Sequence, residues 1–583
     1  MCATSTSARL TLLATSDVHM HLSGFDYRRD APRPDIGLAR LATHVAQVQA
    51  EGPCVLLDNG DLLQGTVLGG LAAERDNPVP EMIAAMGYDA LGLGNHDVDF
   101  GIDAWARFAR AVQIPIVCSN FELPGTHPHT IITREIANRG PLHLGVVAAL
   151  PPQTIQWNAQ HLGHLPAPRD PATSVAAAVR AVRAGGADLV VVLGHTGLAA
   201  DGPDTAENFG TALAQIPGVD ALILGHTHRR LPGPDYGAID GVDPEAGTVF
   251  GVPAVMPGFA GSHLGRIDLE LEGRPGTWQI VAARTALCPA RTAEEDDLAI
   301  SQIIAPLHAR ARTHQAEIIG STEVPLRSHF ALLGHDPGQA LCAKAMQTAI
   351  GPALRDAGLE ALPLIAAVAP NAAGGRAGPG NYLNVATGPL HRRDLSAIAP
   401  YPNGIWALRA TGAELRAWLE LSAAVFGKSD PTVSAPALID PAVPLFNFDS
   451  LFGLNAVLDP SEPPGNRVAH LEWGGAHVAA DMPFALVTTS YRAAGGGGFP
   501  ATGLHRVAAR AEMTLAQALE ALLANGPIRA LDPAPFQVDA GGQKRVTLDT
   551  GPGALDHLDD IARYDPRVLE QLTSGFVRLG LTL

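Results

Sequence analysis

The stretch "GLGNHDVDFG" (residues 92–101) decides the reading of the fold. The residues before it, Tyr88 to Leu93, read as the end of a buried strand. Glycine, asparagine, histidine and aspartate then follow, with no apolar residue between Gly94 and Val98. A core strand that ends on an amide (Asn95), an imidazole (His96) and two carboxylates (Asp97, Asp99) carries chemistry at its carboxyl end. In layered α/β proteins that edge is where ligands bind.

The pattern recurs on both sides of this stretch. "LTLLAT" (10–15) leads to Asp17 and His19, and "CVLLDNGD" (54–61) ends on Asp61. "DLVVVLGHTG" (188–197) carries His195, and "ALILGHTH" (221–228) carries His226 and His228. "IPIVCSN" (114–120) and "LGVVAAL" (144–150) are further apolar runs of strand length. Amphipathic segments at 36–50 and 172–185 alternate with these runs, as in a layered α/β domain. Gly60, Gly94, Gly194 and Gly225 stand directly before candidate ligands, where glycine permits a sharp turn. Asp-x-His and His-x-His on extended backbone point the same way, so each pair can face one cluster.

A single histidine after a strand more often caps or is solvated. Here five strand ends together offer two Asp, one Asn and five His. Left unpaired, so many polar groups at one edge carry a desolvation cost. Mixed carboxylate, amide and imidazole donors suit Mn, Zn, Fe or Co.

Composition narrows the function classes. The 583 residues exceed one core and predict two domains with an appendage. A net charge of −18 argues against a nucleic-acid polymer as partner. The five cysteines (Cys2, Cys54, Cys118, Cys288, Cys342) form no CxxC, so neither a disulfide framework nor a zinc knuckle is expected. No window has the ~20 apolar residues of a membrane span, and no secretory signal is read at the start. The expected location is the cytoplasm, or the periplasm if a leader has been removed.

Beyond residue 290, "AEEDDLAISQIIAPLHARARTHQAEIIG" (293–320) has an acidic first turn and helical spacing. It predicts one long connecting helix within a linker at 291–325. A second domain is expected at 326–510 and an appended tail at 511–583, the latter starting with a helix at 514–524.

"SDVHMH", "DNGDLLQG", "GNHDVDFG", "LGHTG" and "LGHTH" resemble, in that order, the successive motifs of the calcineurin-like metallophosphoesterases. "YPNGIWALRATGAELRAWLE" (401–420), "FNFDSLFGLN" (446–455) and "SYRAAGGGGFP" (490–500) resemble the substrate domain of the 5′-nucleotidase group. "FDYRRD" (25–30), "NFDSLFGLN" and the tail favour the bifunctional 2′,3′-cyclic-nucleotide 2′-phosphodiesterase/3′-nucleotidase branch. The resemblance implies a four-layer α/β β-sandwich catalytic domain (8–290) and an α/β 5′-nucleotidase-type substrate domain, joined by the long helix. It further implies two divalent metal ions as cofactors and a nucleotide as substrate. It assigns Asp17, His19 and His228 to one metal, Asn95, His195 and His226 to the other, and Asp61 as the bridge. His96, backed by Asp99, is then the catalytic dyad. The family usually has Glu-Phe inside that dyad, and this chain has Asp97-Val98.

For the nucleoside, "APNAAGGRAG" (369–378) places Asn371 and Arg376 in a Gly/Ala loop. The loop reads either as plain surface or, by the resemblance, as substrate contacts, for which the guanidinium fork suits phosphate and carbonyl oxygens. Only 5% of the chain is aromatic, so Tyr491 beside Gly495–Gly498 is informative. Tyr491 and Phe448 are expected to sandwich the base, with the Phe446 register and plain core packing as open alternatives. The competing functions are a 5′-nucleotidase or nucleotide-sugar hydrolase with the same site, and a non-catalytic nucleotide-binding sensor.

Overall fold

The computed structural model describes residues 8–137, 139–199, 206–237, 239–293, 295–427, 435–441, 443–541 and 544–583. Cys2 lies outside these residues. The chain divides between His314 and Gln315 into two compact units.

In the first unit the apolar runs form two sheets. Ala8–Thr15, Cys54–Asp58, Ala90–Leu91 and Ile116–Val117 pair in parallel. The antiparallel strands His263–Glu272 and Gln279–Pro289 extend that sheet beyond Ala8–Thr15. In the second sheet Gly140–Ala149, Leu189–Gly194, Ala221–Leu224 and Val252–Pro257 run parallel. His129–Ile136 is its antiparallel edge.

The sheets pack face to face through Leu10, Leu12, Val55 and Leu57 against Val146, Val191, Ile223 and Val255. The outer face of the first sheet (Leu13, Leu56) is covered by helix Leu38–Glu51 through Leu41 and Val45. Helix Pro171–Ala184 covers the second through Val175, Val179 and Val182 against Val147, Val190 and Val192. The result is a four-layer α/β/β/α sandwich. Strands buried on both faces need continuous apolar sequence, which is why these runs show no alternation. Parallel pairing then brings the carboxyl ends of several strands to one edge of each sheet.

The connecting helix is shorter than its periodicity predicts, spanning Leu298–Gln315. The acidic run precedes it, and the Asp297 carboxylate accepts from the Ile300 amide at 3.0 Å, as a capping residue does. Ile300, Ile304, Leu307 and Ala311 pack into the core of the first unit, so the helix belongs to that unit rather than standing as a separate linker.

The second unit is built on a mixed sheet in the order Ser450–Phe452, Leu364–Val368, Pro483–Thr489, Gly404–Thr411, Val507–Thr514. Strand Val507–Thr514 and helix Leu515–Ala524 are integral to it. Leu515, Ala518, Leu519 and Leu523 share a core with helix Pro337–Asp356. The expected boundary at 511 therefore cuts through a strand. Further on, Phe536–Val538 pairs with Asn455–Leu458, and Arg545–Thr550, Val577–Thr582 and Arg567–Gln571 form a small antiparallel sheet.

Candidate metal centre and flanking histidine

The strand-end residues of the first unit converge into two groups. Donor atoms of Asp17, His19 and His228 lie within 4.8 Å of one another, and so do those of Asp61, His195 and His226. Asn95 joins the second group, its Oδ1 lying 2.9 Å from His226 Nδ1. Asp61 Oδ2 stands 3.1 Å from His195 Nε2 and 3.7 Å from His19 Nε2, and so reaches both groups.

The backbone is unusual at these positions. Asp17, His19, Asp61, His226 and His228 all adopt positive φ, between 50° and 68°. Left-handed backbone in non-glycine residues costs about 1–2 kcal/mol each and persists only where the surroundings impose it. They do so here through long-range hydrogen bonds. Asp17 N donates to Gly60 O (3.0 Å), His19 N to Asp61 O (2.9 Å), and His226 N to Asp17 Oδ1 (3.0 Å). A Cβ on Gly94 would fall 2.2 Å from the Asp61 amide nitrogen, so only glycine fits there.

Asp97, which the sequence leaves without a role, is the buttress of this turn. Its buried carboxylate accepts from the backbone amides of Asp61, Leu62, Leu63 and Gly94 at 2.8–3.0 Å. A carboxylate in a loop too short for a helix was the available signal. The shorter Asp, where the resembling family has Glu, fits this close nest of amides.

The donor set fits divalent cations on the geometry alone. His195 Nδ1–H donates to the Asn59 carbonyl (2.9 Å), which turns Nε2 toward the Asp61 carboxylate. That buried Nε2 has no hydrogen-bond partner. His19 Nδ1–H donates to the Gln64 carbonyl (2.7 Å), and its Nε2 then faces His228 Nε2 at 3.0 Å. Each of these close contacts must hold a proton or a cation between its two atoms, and carboxylate and imidazole donors at this spacing are the kind a divalent cation takes. Burial pushes the His19 imidazole down to about 4 and holds His228 well below its usual range, so both offer lone pairs. Burial opposes the charge of both Asp61 and His195, yet their attraction overcomes it, holding the Asp61 carboxyl well below its usual range and raising His195 to about 10.

His96 belongs to neither group. Its ring centroid is 5.4 Å from that of His19, and its side chain is 30% exposed. Nδ1–H donates to Asp99 Oδ2 at 2.7 Å, which directs Nε2 away from Asp99. Burial works against the imidazolium, but Asp99 and Asp61 outweigh it and raise the group to about 9.

In the second unit the expected contacts are only partly brought together. Tyr491 is the second residue of the short helix Ser490–Ala493, and its ring lies against the glycine run: a Cβ on Gly496 would meet it at 2.4 Å. Arg492 is buried and anchors this turn through Asp449 (2.9 Å) and the Phe446 carbonyl (2.6 Å). Phe448 is 0% exposed and packs edge-on against Phe426 and Phe536, so it has no face for a base. That corrects the expectation for Phe448. Leu445–Asn447 is a 3-10 turn, where the two-residue rule of a strand does not hold, and it is Phe446 that faces outward, 52% exposed. Asn371 ties its loop down by donating to the Ile398 carbonyl (2.8 Å), and Arg376 is exposed in the turn Gly375–Ala377. One aromatic escaped notice. Tyr401, 44% exposed, sits two residues before Asn403, whose side chain accepts from Ser490 Oγ at 3.5 Å. Its "YPNG" context reads as a turn and hides it.

A sandwich whose strand ends gather paired carboxylate–imidazole clusters is the architecture of a metal-dependent phosphoesterase. Residues 10–230 match the calcineurin-like phosphoesterase family, and residues 318–504 match the 5′-nucleotidase C-terminal domain. The chain is 33% identical over 536 residues to a 2′,3′-cyclic-nucleotide 2′-phosphodiesterase/3′-nucleotidase of Haemophilus influenzae, covering 85% of this chain and 81% of that protein. A protein of the same name from Salmonella typhimurium is 31% identical, covering 86% and 83%. The crystal structure of a 5′-nucleotidase precursor from Thermus thermophilus shares the fold at 19% identity and a TM-score of 0.60, over 91% of this chain and 99% of that one. The chain belongs to the calcineurin-like phosphoesterases that carry a 5′-nucleotidase C-terminal domain, in the family of the 2′,3′-cyclic-nucleotide 2′-phosphodiesterase/3′-nucleotidases. Among the described residues no helix is long and apolar enough to cross a membrane.

Proposed function

We propose that this chain opens 2′,3′-cyclic nucleotides to 3′-nucleotides and hydrolyses these to nucleoside and phosphate. The observation that carries the reading is the pair of carboxylate–imidazole clusters, with Asp61 Oδ2 3.1 Å from His195 Nε2 and His19 Nε2 3.0 Å from His228 Nε2. Asp17, His19 and His228 would hold one cation, Asn95, His195 and His226 the other, with Asp61 shared. When bound, two divalent cations of the Mn, Zn, Fe or Co kind supply Lewis-acid activation of water and neutralise charge on the phosphoryl oxygens.

The chain's own side chains do the rest. In the first reaction water adds to phosphorus and the P–O2′ bond breaks. In the second the P–O3′ bond breaks and inorganic phosphate leaves. In each the departing ribose oxygen needs a proton, and His96 as imidazolium is placed to give it from Nε2. Asp99 holds the ring by its Nδ1–H and stabilises the charged form.

The C-terminal unit reads the nucleoside. Tyr491, its ring backed by Gly496, supplies the first stacking face. Two loops hydrogen-bonded to its turn carry exposed aromatics, Tyr401 and Phe446, and Tyr401 takes the place expected of Phe448 as the second stacking face. Asn371 and Arg376 remain candidates for polar contacts, Arg376 lying in an exposed turn.

The test is turnover of 2′,3′-cAMP, 3′-AMP and 5′-AMP before chelation, after it, and after re-metallation. The reading expects adenosine from the first two, metal-dependently. Preference for 5′-AMP would favour the 5′-nucleotidase alternative. Absence of metal-dependent turnover, bis-p-nitrophenyl phosphate included, would favour a binding protein.

A further inference from the structure

The ring of His226 is held from more sides than the proposed ligand set requires. Its Nε2 lies 2.8 Å from Glu207 Oε1, and the Trp157 indole stacks on it at 5.4 Å and 16°. Asn95 Oδ1 is 2.9 Å from Nδ1 on the opposite edge. A carboxylate can only accept, so the proton of the neutral ring belongs on Nε2. In that tautomer the Nδ1 lone pair faces the Asn95 oxygen, an arrangement that a cation between them completes.

Glu207 is itself held in place. Thr196 Oγ1 donates to the Glu207 carbonyl at 2.7 Å and accepts from Phe209 N at 2.9 Å. Gly210 N donates to Gly197 O at 3.0 Å. The loop carrying Glu207 is thereby stapled to the turn that carries His195, so one ligand's turn fixes the partner of another. Asn158, next to Trp157, donates to the Asn95 carbonyl at 2.8 Å, which ties the indole's segment to the same ligand.

We propose that Glu207 is a positioning residue of the metal centre: by accepting from His226 Nε2–H it fixes the tautomer and ring orientation that present Nδ1 to the cation shared with Asn95. Nothing in the family motifs marks it, since it lies in a polar loop between the strands that supply His195 and His226. The inference rests on the two-metal reading.

The test uses the full chain, stripped by chelator and titrated with Co2+ alone. It compares wild type, Glu207→Ala and Glu207→Gln by visible absorption and by competition with a chromophoric chelator. Partners of ligating histidines typically contribute 10–100-fold in metal affinity. Glu207→Ala is expected to weaken one of the two ions by about tenfold or more and to change its absorption band, leaving the other ion unaltered. Glu207→Gln, whose amide oxygen still accepts from Nε2, recovers most of that affinity, and the melting of the stripped protein is the same in all three. Wild-type affinity for both ions in Glu207→Ala, or a Glu207→Gln protein as impaired as Glu207→Ala, overturns the inference. A wild-type chain that takes up fewer than two ions refutes the two-metal reading and this inference with it.

Discussion

Replacing His96 by alanine separates proton donation from metal binding. The imidazole contacts Asp99 at 2.7 Å and lies outside both donor clusters. The variant should therefore keep its metal complement. A positioned general acid contributes about 10²–10⁴-fold, or roughly 3–5 kcal/mol of barrier. The interaction develops only as the ribose oxygen departs, so kcat should fall by that factor on 3′-AMP while KM stays nearly constant. The leaving group provides the decisive control. p-Nitrophenolate departs without protonation, so the same variant should lose tenfold or less on bis-p-nitrophenyl phosphate. Asp99, 8% exposed, loses this partner, and the resulting cost of about 1–3 kcal/mol falls on stability, read as a lower Tm. Steady-state kinetics on both substrates, with metal content measured on the same samples, form the assay. Equal losses on both esters, or loss of metal with loss of turnover, would refute the role of His96 as proton donor.

Further perturbations probe the other parts of the molecule. Tyr491→Ala and Tyr401→Ala should each raise KM for nucleotides by about 5–150-fold, from ~1–3 kcal/mol of stacking, and spare bis-p-nitrophenyl phosphate; if Phe446→Ala alone has that effect, the clamp is Tyr491–Phe446. Phe448→Ala should instead destabilise the fold by about 3–5 kcal/mol with KM little changed in the protein that folds, as denaturation and kinetics together will read. Asp97→Ala strips the acceptor from the amides of Asp61, Leu62, Leu63 and Gly94, so metal affinity and Tm should fall together, and unchanged values of both contradict the buttress. Burial pushes Asp336, the cap of helix Pro337–Asp356, up from 3.8 to about 7. The folded carboxyl holds a proton that the unfolded chain releases above pH 4, so its contribution falls as pH rises from about 4 to 7. Asp336→Asn, an equally good cap, should flatten that decline in denaturant midpoints, and parallel profiles contradict it.

Much of the first unit is legible because its central strands are buried on both faces. Such strands are written as unbroken apolar runs, and they stop where glycine and polar donors begin. The antiparallel strands are harder to see. His129–Ile136 mixes exposed and half-buried positions, and much of Gln279–Pro289 is exposed, so neither makes an apolar run. Convergence of the ligands is legible from parallel pairing alone, but the left-handed backbone at Asp17, His19, Asp61, His226 and His228 is not. It arises from hydrogen bonds between segments far apart in the chain. Glu207 is invisible for the same reason, and Asp97 shows only as a carboxylate in a short loop, since each acts through a contact with a distant strand end. In the second unit, Phe446 and Phe448 lie two residues apart across the end of a 3-10 turn, and only the packing of Phe426 and Phe536 decides which is buried.

The central claim is that the strand ends of the first unit cradle a pair of cations that hydrolysis requires. Metal analysis of the purified chain, paired with 2′,3′-cAMP turnover on the same sample, tests it most directly. The account predicts two divalent ions per chain, turnover that vanishes with their removal, and its return on reloading. Undiminished hydrolysis by a chain stripped of metal would contradict it.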